Sequence, residues 1–188
     1  MADTSDFRNG LIIKFKNGLY TIVEFQHVKP GKGGAFVRTK LKNLKTGQVL
    51  DNTFRSGESV EVVRVERRKY QYLYRDGSGF VLMDNDTYEQ ITVPEDSVGD
   101  AKDYLKEGTE LELLVDEDDN IITIEPPIFV ELEVVETEPG FRGDTATNVL
   151  KPAKLETGAT IQVPLFINEG DLLKVDTRTG EYVERLKK

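Results

Sequence analysis

The chain has 188 residues, no cysteine, one histidine, 31% charged side chains and 38% hydrophobic ones. Disulfides, zinc–thiolate centres and thiol nucleophiles are therefore excluded, and His27 alone cannot build a multi-histidine metal site. The net charge of −9 is unevenly placed: residues 1–65 hold 11 Lys/Arg against 6 Asp/Glu, residues 66–127 hold 6 against 17, and residues 128–188 hold 8 against 11. Such asymmetry points to a polyanion-binding end, here the first third.

Residues 1–9 are polar and carry no apolar stretch, so no signal peptide is expected. No window approaches the roughly 20 apolar residues of a membrane span, and a soluble cytoplasmic protein is the expectation. Helical periodicity is nearly absent. Alternation predicts strands over 19–25, 35–41, 59–65, 70–74, 80–83, 110–115, 121–124, 129–135, 160–163 and 172–175. Turn signals separate them at Asn17-Gly18, Thr46-Gly47, Asp76-Gly77, Asp119-Asn120 and Thr179-Gly180. One short helix is predicted over 98–105, before Gly108. Leu105-Lys-Glu-Gly-Thr-Glu-Leu-Glu-Leu113 resembles Leu155-Glu-Thr-Gly-Ala-Thr-Ile-Gln-Val163, and Asn120–Ile124 resembles Asp171–Val175, which suggests two similar small barrels in series. Pro126-Pro127 between the copies favours an extended linker, and the charge changes sign near Val65-Glu66. The expected organisation is all-β, with three small domains over 1–65, 66–127 and 128–188.

The run from Phe25 to Leu50 contains no Asp or Glu but holds Lys29, Lys32, Arg38, Lys40, Lys42 and Lys45. Within it, Pro30-Gly-Lys-Gly-Gly34 must connect two hairpin strands. Pro30 stiffens its start, Gly31, Gly33 and Gly34 allow unusual backbone angles and close approach to another surface, and Lys32 is the one long side chain at the tip. Strands this basic suit phosphate contacts. A P-loop is excluded because Lys32 is followed by Gly33, not Ser or Thr, and a strand rather than a helix comes next. His27 reads as a half-buried strand residue near the loop base, with no acid within the Phe25–Leu50 run to make it catalytic.

Asp116-Glu-Asp-Asp119 reads as a solvated hairpin turn rather than a calcium loop, which would need spaced ligands between two helices. Tyr70, Tyr72 and Tyr74 share one face of a strand behind Arg67-Arg68-Lys69. They read as packing before base stacking, though a stacking face would suit a generic binder of single-stranded RNA. The 139–145 segment reads as a long polar loop and a candidate contact surface.

Over essentially its whole length the chain resembles the bacterial elongation factor P family. Lys29-Pro-Gly-Lys-Gly-Gly-Ala-Phe36 is similar to the family's modification loop. Tyr70-Gln-Tyr-Leu-Tyr74, with Met83-Asp84 and Thr87-Tyr-Glu-Gln90, resembles the start of its second domain. Gly143-Asp-Thr145 and the run from Lys151 to Pro164 resemble its third-domain signature. The resemblance implies a KOW/SH3-like barrel followed by two OB-folds in an L-shaped, tRNA-like outline. It implies a monomer that is no enzyme itself, needs no cofactor or metal, and binds the 70S ribosome, its rRNA and peptidyl-tRNA to relieve stalling at consecutive prolines. Lys32 would meet the acceptor end of the tRNA and could be extended by a dedicated enzyme. Lys29, Arg38, Lys40 and Lys42 would touch RNA phosphates, and Arg142, Gly143, Asp144 and Thr145 would form a ribosome- or mRNA-facing loop.

Overall fold

The computed structural model describes residues 2–140 and 149–187. Strands dominate, and they form three sheets. The first has six strands: β1 (Ala2–Asp3), β2 (Ile12–Phe15), β3 (Gly18–Val28), β4 (Phe36–Asn43), β5 (Val49–Arg55) and β6 (Ser59–Val62), in the order β1-β6-β2-β3-β4-β5. The second has β7 (Val65–Asp76), β8 (Gly79–Asp84), β9 (Gln90–Val93), β10 (Glu110–Asp116) and β11 (Ile121–Glu125), in the order β11-β10-β7-β8-β9. The third has β12 (Phe129–Thr137), β13 (Leu150–Leu155), β14 (Thr160–Pro164), β15 (Leu172–Asp176) and β16 (Glu181–Leu186), in the order β14-β13-β12-β15-β16. By packing, the chain divides into two compact units, Met1–Arg67 with Leu114–Thr123, and Arg68–Leu113 with Ile124–Lys188.

Counting strands from the start of each five-stranded sheet, both follow the order 3-2-1-4-5, so the second and third sheets repeat one topology. The sequence repeat is a different one. It aligns β10, fourth in its sheet, with β14, third in the next. What the two segments share is a turn: Gly108 and Gly158 both adopt positive φ just ahead of a strand. Two similar barrels do stand in series, but this motif is not the register that relates them.

Local chemistry explains the hairpins. Between β2 and β3 the turn residues Lys16 and Asn17 both have positive φ, 44° and 62°, the arrangement that matches the right-handed twist of antiparallel strands. Gly18 then opens β3, opposite Phe15. Asn43 folds the β4–β5 turn by accepting from the Lys45 and Thr46 amides at 2.8 and 2.9 Å. The acidic 116–119 run is likewise a turn, in which Asp116 accepts from the Asp118 and Asn120 amides. These bonds hold its carboxyl below the usual range, the Asn120 side chain contributing most.

Alternation builds the cores. In β4 the residues Val37, Thr39 and Leu41 are buried while Arg38, Lys40 and Lys42 are exposed. The first core gathers Phe7, Ile13, Ile22, Val37, Leu41, Phe54 and Val60. The third sheet closes over Leu132, Leu155, Val163, Ile167, Leu173 and Val175, and Tyr104 packs against it from the preceding segment. The predicted helix begins earlier than expected. After Pro94 a single α turn, Glu95–Val98, runs into a 3-10 segment over Gly99–Tyr104, because Gly99 at φ 59° breaks the α-helical run. No helix in the described residues is long and apolar enough to cross a membrane.

Candidate nucleic-acid interface

The connection between β3 and β4 carries Lys29, Pro30, Gly31, Lys32, Gly33 and Gly34, and all six are exposed. Gly33 has a φ of +118°. A Cβ at Gly31 or Gly34 would meet nothing within 4 Å. Lys29 and Lys32 make no hydrogen bond or ion pair with the described residues. The loop root is fixed: Val28 pairs with Phe36, Phe36 pairs with Arg55, and the Ser56 amide donates to the Ala35 carbonyl at 3.0 Å. A hydrogen-bonded three-strand base thus holds up a tip whose ammonium has no partner among the described residues.

Below the loop, β4 lies between β3 and β5, and its outward residues come in rows. Arg38 faces Gln26 on one side and Thr53 on the other. Its guanidinium sits over the Phe36 ring, 5.5 Å from the centroid. Lys40 faces Glu24 and Asp51. Its ammonium lies 3.0 Å from the Glu24 carboxylate. That hydrogen bond and charge raise the Lys40 pKa, with Asp51 adding to the shift. Lys42 faces Thr21 and Val49 and has no ionic partner among the described residues. The acid-free run of the sequence is therefore not acid-free in space. Glu24 and Asp51 lie just outside its two ends, and antiparallel pairing carries both to Lys40. The register that runs unbroken from the Val28–Phe36 pair sets Glu24 opposite Lys40, and a bulge at Val23 shifts it only beyond, so that Ile22 pairs with Leu41.

The structure brings Arg38, Lys40 and Lys42 onto one outer face at the foot of the loop that carries Lys29 and Lys32. Arg142, Gly143, Asp144 and Thr145 lie outside the described residues. His27 is exposed rather than half-buried; it pairs with Val37 at the open end of the barrel and meets the Phe25 ring edge-on at 5.7 Å. The tyrosine strand does not offer a stacking face. Tyr70 and Tyr72 are each 6% exposed, while Tyr74 is 46% exposed. A bulge between Tyr72 and Tyr74 breaks the period of two, so the three rings do not share one face. Burial raises the Tyr70 pKa, and the Asp84 charge and hydrogen bond add to it. Sequence reasoning missed Arg55, exposed at the end of β5, and the two acids beside Lys40. Pairing arithmetic across β3, β4 and β5 would have found all three.

Three family models cover the chain in order: the elongation factor P KOW-like domain over residues 3–60, the elongation factor P OB domain over 65–124, and the elongation factor P C-terminal domain over 130–185. A protein named elongation factor P from Amoebophilus asiaticus is 61% identical over 100% of this chain and 98% of its own. One of the same name from Chloroflexus aurantiacus is 59% identical over 97% of each chain. Among solved structures, a translation initiation factor eif-5a family protein from Naegleria fowleri matches with a TM-score of 0.52 at 15% identity. It covers 66% of this chain and 96% of that one, a likeness of fold alone.

Proposed function

The chain belongs to the elongation factor P family, a family of translation elongation factors, and from that premise we propose that it binds the 70S ribosome beside peptidyl-tRNA and promotes peptide-bond formation at consecutive prolines by positioning the tRNA acceptor end. The observation that carries this reading is Lys32: an exposed ammonium with no partner among the described residues, at the tip of a glycine-rich loop above a face that displays Arg38 and Lys42. In this reading the domains are 1–65, 66–127 and 128–188, the chain acts as a cytoplasmic monomer, and the 142–145 segment faces the ribosome or mRNA.

Proline is a constrained nucleophile, and a proline-rich nascent chain can hold the reacting ester out of line. A factor that binds the tRNA relieves this without covalent chemistry of its own. Alignment of reactants is worth up to about 7–11 kcal/mol in favourable systems, and about 1.4 kcal/mol already gives a tenfold rate. Lys29, Arg38 and Lys42 supply phosphate contacts, Lys40 is instead taken up by Glu24 and Asp51, and Lys32 brings hydrogen-bond donors to the acceptor end. Its exposure also leaves the ammonium open to enzymatic extension, which peptide mass mapping of the native protein would reveal.

The test is Lys32→Ala in reconstituted translation of a Pro-Pro-Pro reporter and a proline-free reporter. The variant should slow the first and leave the second unchanged. Equal rates for wild type and variant on both would end the proposal.

A further inference from the structure

The row next to the loop holds a cation outside the acid-free run. Arg55 closes β5, is exposed, and pairs with Phe36, whose ring also supports Arg38. Arg38 stands two residues along β4 from Phe36, so Arg38 and Arg55 are diagonal neighbours, roughly 7–8 Å apart and somewhat less between Cβ atoms. Both are on the outer face, with Gln26 and Thr53 beside them as uncharged hydrogen-bonding groups. Neither guanidinium has an ion pair with the described residues. Glu58 is the nearby acid, and its carboxylate accepts from the Arg55 backbone amide at 2.8 Å.

One row further from the loop the character changes. Glu24, Lys40 and Asp51 lie side by side and together carry one net negative charge. A polyanion that follows this face away from Lys32 meets two guanidiniums with no ion pair among the described residues, then a row of net negative charge. Phosphate binding on the outer face is thus not spread evenly over its cations.

We propose that Arg55 and Arg38 form a two-guanidinium seat for an RNA phosphodiester at the root of the Lys32 loop, and that the Glu24–Lys40–Asp51 row bounds it. The inference rests on the RNA-binding reading given above and adds its location on the sheet. Arginine suits the task because its planar fork gives two parallel hydrogen bonds to phosphate oxygens. The Phe36 ring holds the Arg38 fork in place. Lys40 serves as the counter-ion of Glu24 and Asp51; without it two carboxylates would stand unopposed beside the seat.

The experiment measures affinity for 70S ribosomes holding a P-site tRNA across a KCl titration, for wild type, Arg55→Gln, Arg55→Lys, Lys40→Gln and Lys29→Gln. One lost phosphate contact lowers the slope of log affinity against log salt by about one. Arg55→Gln should lose about tenfold in affinity and about one unit of slope. Arg55→Lys should keep the slope and lose affinity, because the charge stays and the fork goes. Lys40→Gln should leave the slope at the wild-type value. Melting temperatures of the variants should match wild type, since each side chain is exposed. If Lys29→Gln lowers the slope and Arg55→Gln does not, the seat is misplaced while RNA binding stands. If Lys40→Gln lowers the slope as much as Arg55→Gln, the row is no boundary and the proposal falls. If no variant changes the slope, RNA binding by this face falls with it.

Discussion

Replacing the glycines on either side of Lys32 by alanine tests whether the loop acts in the conformation seen here. The two changes add the same methyl group one residue from the same lysine. At Gly31 the added Cβ meets nothing within 4 Å and φ is not positive. At Gly33 the nearest atom is Pro30 Cγ at 3.8 Å, an ordinary contact, but φ is +118°. The difference between the variants is therefore backbone strain, not crowding. Holding alanine in such a region costs about 1–3 kcal/mol. If Lys32 works only in this conformation, Gly33→Ala reduces the competent population by a factor of about 5–150. The apparent affinity falls by the same factor, and saturating protein restores the rate. Gly31→Ala should behave as wild type or better, since it restricts the unfolded chain without straining the folded one. Both variants should remain folded at the assay temperature, because the loop is exposed throughout. The assay is a titration of each protein against stalled translation of a Pro-Pro-Pro reporter. Equal half-saturation concentrations for the two variants would refute the reasoning.

Leu132 is fully buried at the centre of the third core, and Leu132→Ala should lose about 2.7–5 kcal/mol in urea unfolding; a loss under about 1 kcal/mol would show that the core collapses around the gap. Stability against pH should fall at both extremes. Asp84, Asp116 and Asp176 have pKa values lowered by hydrogen bonds, from the Thr87 amide, the Asn120 side chain and the Arg178 side chain respectively. A folded pKa below the unfolded one gives stability that is complete above about pH 4 and is lost as pH falls through the folded values. Burial raises the pKa of Tyr70, Tyr72 and Tyr104, so their contribution is complete below about pH 10 and is lost as pH rises beyond it. Melting temperature recorded across pH should stay flat between these limbs, and an acid limb that begins near pH 6 would refute the assignment of the loss to these carboxylates.

The fold was legible where a strand obeys a period of two and a glycine or asparagine closes its hairpin. The strands named in advance each fall in or beside an observed one. Most of the strands missed have a thin pattern: β1 has two residues, β2 and β9 have four each, β13 carries Pro152 in its middle, and β16 buries none of its six side chains fully. The β5 strand escaped because its outward residues, Asp51, Thr53 and Arg55, read as a polar connection until β4 is there to pair with them. Bulges are the other source of error. The extra residue in β7 that turns Tyr74 away from Tyr70 and Tyr72 leaves no mark in composition, since it is a matter of how two strands share hydrogen bonds.

The site was legible in one dimension only. A lysine flanked by Pro30-Gly31 and Gly33-Gly34 identifies itself, because no packing is needed to put it at a tip. The face beneath it is different, for its charge is decided by neighbours on other strands. Reading along the chain gives Arg38, Lys40 and Lys42 as three equal cations. Reading across the sheet gives three environments: one cation resting on an aromatic ring, one held between two carboxylates, one beside Thr21 and Val49. The pairing that brings Glu24 and Asp51 to Lys40 also brings Arg55 to Phe36, so under the proposed reading the register that takes one cation out of phosphate binding supplies another nearer the loop. Moving β5 by two residues along β4 would undo both at once, placing Asp51 or Arg55 beside a different row. The proposed specificity for a phosphate near Lys32 thus rests on strand register as much as on the number of basic residues, and a variant that keeps every lysine and arginine yet shifts that register should lose it.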